Sequence, residues 1–210
     1  MSPMIDPVTA PVIAPVTDPM TDPMTDKERQ IAAAALRVFS RYGMKRATMN
    51  DIAQEAGVVR QTLYNVFANK DEVIHGTLLF YTETLRQQTR DAWDGVTDLP
   101  TKLDLLFTHY VLASWDTVRA TPDAGELETG SHAAAKRAMQ IAEQEMQAML
   151  VDLFTPFATA LERNGQTPTE FSAFINATMM GLKHGTNDRA ILVRHLAALK
   201  AMILLAVGES

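Results

Sequence analysis

The chain has 210 residues, 47% of them hydrophobic and 21% charged, which is enough for one or two domains with a sizeable core. It has no cysteine, so disulfides, thiolate metal sites and a cysteine nucleophile are excluded. The net charge of −6 is uneven: residues 1–26 carry four acids and no base, residues 27–70 carry eight bases against three acids, and residues 71–210 are net −7. An acidic protein with one basic segment confines its phosphate-binding surface to that segment.

Residues 7–26 read as five tetrapeptides, PVTA, PVIA, PVTD, PMTD and PMTD. Proline at every fourth position forbids helix and sheet, so residues 1–24 are expected as a disordered, Pro-rich tail. Its acids would repel phosphates, which argues against a minor-groove arm. A translation start at Met20 or Met24 would leave the repeat outside the protein. The N-terminus has neither the basic start nor the unbroken apolar stretch of a secretory signal. Thr25 and Glu28 form a capping box, and the folded part is expected to begin there.

A first helix, KERQIAAAALRVFSRYG, leads into TMNDIAQEAGVVRQTLYNVFANKDEV, residues Thr48 to Val73. Ile52, Ala53 and Ala56 form a small apolar face, and Asn50 or Asp51 is placed to cap that helix. Gly57 sits where a chain leaving a helix needs positive φ, and Val58 fills the corner. In the next helix Leu63, Val66 and Phe67 are spaced for burial, while Arg60, Gln61, Thr62, Tyr64 and Asn65 fall on the opposite side. Arg forks onto guanine and Gln or Asn onto adenine, each good pair contributing about 1–3 kcal/mol of discrimination. Two helices, a glycine turn and a donor-rich second helix together predict a helix-turn-helix over residues 48–67 rather than an ordinary hairpin.

These segments resemble the TetR family of transcription regulators over about fifty residues, from the first helix through TLYNVF and NKDEV. The resemblance implies that Thr48, Tyr64 and Lys70 contact phosphates and that Arg60, Gln61, Thr62 and Asn65 lie in or beside the groove. Lys45 and Arg46, from the same basic segment, complete the candidate DNA-binding set. The family commonly opens its recognition helix with Ser or Thr, where this chain has Val59. A valine cannot cap, at a local cost of about 0.5–2 kcal/mol.

Beyond Lys70 the pattern is helical throughout. One helix spans about Asp71 to Trp93 and ends at Gly95. Another starts near Leu99–Pro100 and carries Leu103, Leu106, Phe107, Tyr110, Ser114 and Thr117 on one stripe. After a loop-like TPDAGELETG, which has room for a short helix, Ser131 is placed to cap a long helix bearing Met139, Ala142, Met146, Met149, Leu153, Phe157 and Leu161. Pro156 predicts a kink, and Asn164–Gly165 an end. The last two helices, about Thr167–His184 and Asp188–Val207, are apolar on more than one face. They carry Ala173, Ala177, Gly181, Ala190, Ala197, Ala198 and Ala201, the small residues of a close helix interface. They are the candidate homodimer surface, and two-fold symmetry predicts a palindromic operator in double-stranded DNA.

Trp93, His109, Tyr110, Trp115, Met139, Met146, Met149, Phe154, Asn176 and Met179 mix apolar bulk with polar tips and are the candidate ligand-pocket residues, although such residues also build plain core. The resemblance implies that an unidentified small molecule wedges these helices, shifts the helix starting at Asp71 and spreads two DNA readers. The run AALKAMILLAV is short and broken by Lys200, so no membrane span is expected, and the protein is expected to be cytoplasmic. The five histidines lack a metal-ligand pattern, with His184, Asp188 and His195 the nearest approach. Glu126 and Glu128 diverge on a helix, and Ser131–His132 is no nucleophile elbow. No catalytic residue and no cofactor is expected.

The sequence therefore predicts an all-α protein: the tail, a three-helix helix-turn-helix domain over 25–85 and a helical regulatory and dimerisation domain over 86–210. The function expected is a ligand-responsive DNA-binding repressor. The alternative is a helical enzyme or small-molecule carrier whose hairpin ignores DNA.

Overall fold

The structure is a computed structural model and describes residues 24–122 and 133–209. The Pro-rich repeat up to Pro23, the TPDAGELETG loop beyond Pro122, the Ser131 cap, Glu126, Glu128 and His132 lie outside the described residues.

Helix α1 (Asp26–Arg46) starts at the expected capping box: Thr25 Oγ1 accepts the Glu28 N–H, and the Glu28 carboxylate accepts from the Thr25 backbone at 2.7 Å. Met24, assigned to the tail by the sequence, packs against the first core. Gly43 breaks the helix with φ 76° and ψ 159°, leaving Lys45 and Arg46 on a separate last turn. Helix α2 (Met49–Ala56) is capped by Thr48 rather than Asn50 or Asp51. The Thr48 hydroxyl bonds the Asp51 carboxylate at 2.7 Å, and Asp51 serves as the reciprocal partner. Gly57 takes the left-handed conformation, φ 66°. Helix α3 (Arg60–Val66) follows from Val59, which makes no side-chain cap.

Helix α4 (Lys70–Ala92) is capped by Asn69 and closes at Gly95, φ 71°. Asp98 caps α5 (Leu99–Leu106). A six-residue π-helical stretch, Phe107–Leu112, leads directly into α6 (Ala113–Ala120). Nothing in the sequence stripe announced this stretch, because Leu106, Phe107, Tyr110 and Ser114 keep ordinary three- and four-residue steps. Helix α7 (Ala133–Phe154) ends where Pro156 demands: a 3-10 turn, Thr155–Phe157, separates it from α8 (Ala158–Arg163). Helices α9 (Pro168–His184) and α10 (Arg189–Val207) are capped by Thr167 and Asp188. No strand occurs among the described residues.

Two hydrophobic clusters organise the chain. The first joins Ile31, Ala35, Val38 and Phe39 of α1 to Ile52 of α2, Leu63 of α3 and Val73 and Ile74 of α4. Ile31, Ile52 and Leu63 are fully buried, so Leu63→Ala would cost about 2–5 kcal/mol. The second cluster gathers Leu85, the α5–α6 stripe, α7, α9 and α10, with Phe154 set edge-on to Phe171 at 5.0 Å between ring centroids. Helix α4 serves both clusters, so the sequence boundary at residue 85/86 falls inside it.

The α10 helix differs from the sequence expectation. At 19 residues and mean hydropathy 2.0 it is long and apolar enough to cross a membrane by length and composition, which the shorter run had not indicated. Two ion pairs tie it to the rest of the fold: Lys200 to Asp104 at 2.5 Å and Arg189 to Asp116 at 3.0 Å.

Candidate nucleic-acid interface and neighbouring cavity

The turn between α2 and α3 is closed by backbone bonds, Gly57 N–H to Gln54 O at 3.1 Å and Val58 N–H to Ala53 O at 3.0 Å. Leu63 and Phe67 are buried beneath α3, and Arg60, Gln61, Tyr64 and Asn65 are exposed above it, with Thr62 half-buried. The exposed side chains pair one helical turn apart. The Arg60 guanidinium lies 5.3 Å from the Tyr64 ring centre and donates to its hydroxyl at 3.3 Å. Gln61 Nε2 donates to Asn65 Oδ1 at 2.9 Å. These exposed bonds are weak enough to be exchanged for contacts to base edges.

The flanks are anchored by similar means. Lys70 Nζ donates to the Lys45 carbonyl at 3.0 Å, and partial burial pushes its pKa below the ordinary lysine value. Thr48 spends its hydroxyl on the α2 cap, and Arg46 Nε donates to Tyr42 O at 3.2 Å. Two exposed basic residues of the segment pair with an acid. Glu55 holds Arg37 at 2.6 Å and Arg41 at 2.8 Å, and Arg37 chiefly holds its pKa below the usual glutamate range. The candidate interface is thus a donor-rich, exposed helix near Lys45, Arg46 and Lys70, over a buried core.

The family model described as "Bacterial regulatory proteins, tetR family" matches residues 31–76, from Ile31 of α1 into α4. Residues 31–76 thus match the TetR-type DNA-binding domain. No curated protein sequence matches the chain. Among solved structures, a transcriptional regulator from Rhodococcus sp. Rha1 is 20% identical over 86% of this chain and 97% of that one, with a TM-score of 0.62. The fatty acid degradation regulator FadR from Bacillus halodurans is 18% identical over 85% and 96%, TM-score 0.59. A TetR-family regulator from Streptomyces coelicolor is 15% identical over 87% and 95%, TM-score 0.57. At such identities the likeness establishes the fold, and it extends through the C-terminal helices. The match over residues 31–76 is to the DNA-binding helix-turn-helix domain of transcriptional regulators.

Behind the TetR-type domain lies a cavity of about 360 Å³. Leu78, Tyr81, Thr82 and Leu85 of α4 form one wall, Tyr110, Ser114 and Val118 a second, Lys136, Met139, Ala142, Glu143 and Met146 of α7 a third, and Asn176, Met180, Lys183 and His184 of α9 the last. Of the sequence-selected pocket residues, Tyr110, Met139, Met146 and Asn176 meet here. The others are placed elsewhere, each with a visible reason. Trp93 Nε1 donates to Lys102 O at 2.8 Å in the α4–α5 turn. Trp115 stacks under Arg119 at 4.0 Å and donates to Thr186 O. Met149, Phe154 and Met179 are sealed core, and His109 sits half-buried on the π-helical stretch without bordering the cavity.

Sequence reasoning missed the α4 wall, although Leu78, Tyr81, Thr82 and Leu85 repeat at three- and four-residue steps. It treated that helix as a lever and not as a lining. Burial pushes the Tyr110 phenol up to about 12 and raises that of Tyr81, so both remain hydrogen-bond donors at neutral pH. Among the described residues no group of His, Asp and Glu is arranged to hold a metal ion.

Proposed function

We propose that the chain is a homodimeric repressor that binds a palindromic operator through paired α3 helices and leaves it when a small molecule enters the cavity. The observation that carries this reading is the double duty of α4. Its first turns, Val73 and Ile74, are built into the core under α3, and its middle turns, from Leu78 to Leu85, form a wall of the cavity. His75 Nδ1 donates to the Ala134 carbonyl at 3.2 Å, and Ala135 enters the first core, so α7 also reaches both units. A ligand that separates α4 from α7 would act on the seat of the recognition helix and shift the population of DNA-competent dimers. The division into a DNA-binding unit over 25–85 and a regulatory unit over 86–210 is functional in this reading, with α4 as the shared element.

Dimerisation through α9 and α10 is supported by what they leave uncovered. Phe174, Val193, Met202 and Leu205 are exposed by 41% to 72%, and Ala177, Gly181, Ala190, Ala197, Ala198 and Ala201 are exposed between them. A large apolar patch with small residues suits a second copy of the same pair. The regulator would act in the cytoplasm, as a non-enzymatic DNA-binding protein.

Selection of bound fragments from a random duplex pool, followed by footprinting, tests the reading. Protection of a two-fold symmetric site supports it. Indifference to all duplex sequences across salt concentrations would overturn it in favour of a helical enzyme or carrier.

A further inference from the structure

The charges around the cavity belong to its exposed and half-exposed residues, and its buried polar groups are neutral. Lys136 and Glu143, of opposite sign on α7, are exposed, as is His184 on α9. His184 and the half-buried Lys183 are already engaged within the protein. Arg86 is held by Glu83 and Glu145 and does not line the cavity. The interior presents Thr82, Tyr110, Ser114 and Asn176, each 3% to 6% exposed. Three of these have committed hydrogens to backbone carbonyls. Thr82 Oγ1 donates to Leu78 O at 3.0 Å and Leu79 O at 3.1 Å, and Ser114 Oγ donates to Val111 O at 3.0 Å. Asn176 Nδ2 donates to Glu143 O at 3.3 Å. The Tyr81 hydroxyl is buried beside Thr117, a residue of a neighbouring hollow of about 60 Å³ and not of the cavity.

A hydroxyl has one hydrogen and two lone pairs, so Thr82 and Ser114 offer the interior acceptors only. Asn176 keeps its carbonyl oxygen and one amide hydrogen, and Tyr110, protonated at neutral pH, both donates and accepts. A charged head group would lose its hydration there and meet no counter-charge. An ether or ester oxygen would accept from Tyr110 or Asn176 and leave the threonine and serine oxygens unmatched. A hydroxyl donates as well as accepts, and so completes both kinds of neighbour. The walls of Leu78, Leu85, Val118, Met146 and Met180 call for an apolar body. We propose that this cavity binds an uncharged alcohol or phenol with an apolar body. Its hydroxyl enters among Thr82, Tyr110, Ser114 and Asn176, and its body lies along the leucines and methionines. This assignment rests on the ligand-release reading above and specifies its ligand.

The test uses the full chain and two matched series: octanol, methyl octyl ether, octanoate and octylamine, and 4-butylphenol, 4-butylanisole, 4-butylbenzoate and 4-butylbenzylamine. Calorimetry measures binding, and release from the selected operator is followed in parallel. In at least one series the hydroxyl compound is expected to bind about tenfold tighter than its ether, the worth of one hydrogen bond. Both ions should bind more weakly than the hydroxyl compound. Thr82→Val and Ser114→Ala, made singly, remove acceptors and should narrow the ratio of hydroxyl to ether binding. Ether binding should stay unchanged in both variants, which shows that the cavity is still formed. Equal binding of hydroxyl and ether, tightest binding by either ion, no binding by either hydroxyl compound, or a ratio untouched in both variants overturns the assignment. Release of DNA by ether and hydroxyl compound at equal concentrations keeps ligand-gated release while removing the hydroxyl class. Selective hydroxyl binding that leaves the operator complex intact keeps the class while removing ligand-gated release.

Discussion

Gly76 of α4 packs directly against the ring of Phe67, the residue that closes α3. A Cβ built at Gly76 would lie 2.7 Å from Phe67 Cε1 and 2.9 Å from Cζ. Phe67 is 3% exposed, so its ring has little space to retreat. The recognition helix is therefore set on α4 by contact between a ring and a bare backbone. Gly76→Ala would gain about 1 kcal/mol of helix propensity elsewhere. Here overpacking at about 1–3 kcal/mol outweighs it. Lower thermal stability together with weaker operator binding is expected, and a rise in stability with full binding would mean the ring moves aside freely.

Val59 opens α3 without a side-chain cap and is 70% exposed. Val59→Ser supplies the missing acceptor for an orphan N–H and removes an exposed apolar side chain. Stabilisation of about 1 kcal/mol is expected from denaturant titration. An unchanged midpoint would show that water already satisfies that end of the helix.

Arg60 and Lys70 separate base reading from backbone binding. Arg60→Ala should cost about 1–3 kcal/mol at the preferred site and relax base preference. Lys70→Ala should weaken all sites alike and lower the salt slope by about one. Filter binding over a salt series distinguishes them, and wild-type behaviour in both would remove α3 from the groove.

Acid should loosen the DNA-binding unit through Glu55 and Asp51. Arg37 chiefly depresses the pKa of Glu55, and the Thr48 hydroxyl that of Asp51. For a depressed carboxylate the contribution is fully present above the unfolded pKa, about 4.3 for Glu and 3.9 for Asp. It is lost as pH falls through the lower folded value. Melting temperature should fall over that window, and Glu55→Gln should flatten part of the slope while lowering stability at neutral pH.

Leu205 and Met202, 72% and 63% exposed on α10, should govern assembly. Leu205→Glu with Met202→Glu places charges in the proposed two-fold interface, where burial without a partner is costly. Light scattering is expected to report a monomer that stays helical and has lost most operator affinity. A dimer that persists would place the interface elsewhere.

The helix-turn-helix was legible because its determinants are local. Thr25 with Glu28, Gly57, Leu63 with Phe67, and Pro156 each act within a turn or two of chain, where sequence spacing and spatial spacing coincide. The exception was the α2 cap, where Thr48 competed with Asn50 and Asp51 within one turn and the reciprocal bond to Asp51 decided for threonine. Pocket residues behaved differently. Tyr110 and Trp115 are similar aromatic residues on one continuous run of helix, yet one borders the cavity and the other is held by Arg119 and Thr186, residues fixed by α6 and the α9–α10 turn.

By itself, the sequence determined that this is a helical chain with a basic segment around a donor-rich second helix of a helix-turn-helix and two strongly apolar C-terminal helices, since propensity, caps and charge are properties of short segments. Tertiary structure decided which side chains share the cavity, that α4 lines it while carrying Phe67 on Gly76, and that Arg86 is buried with two donors unmatched. Those outcomes depend on how α4, α7 and α9 pack, because packing brings together residues that helical periodicity leaves equivalent.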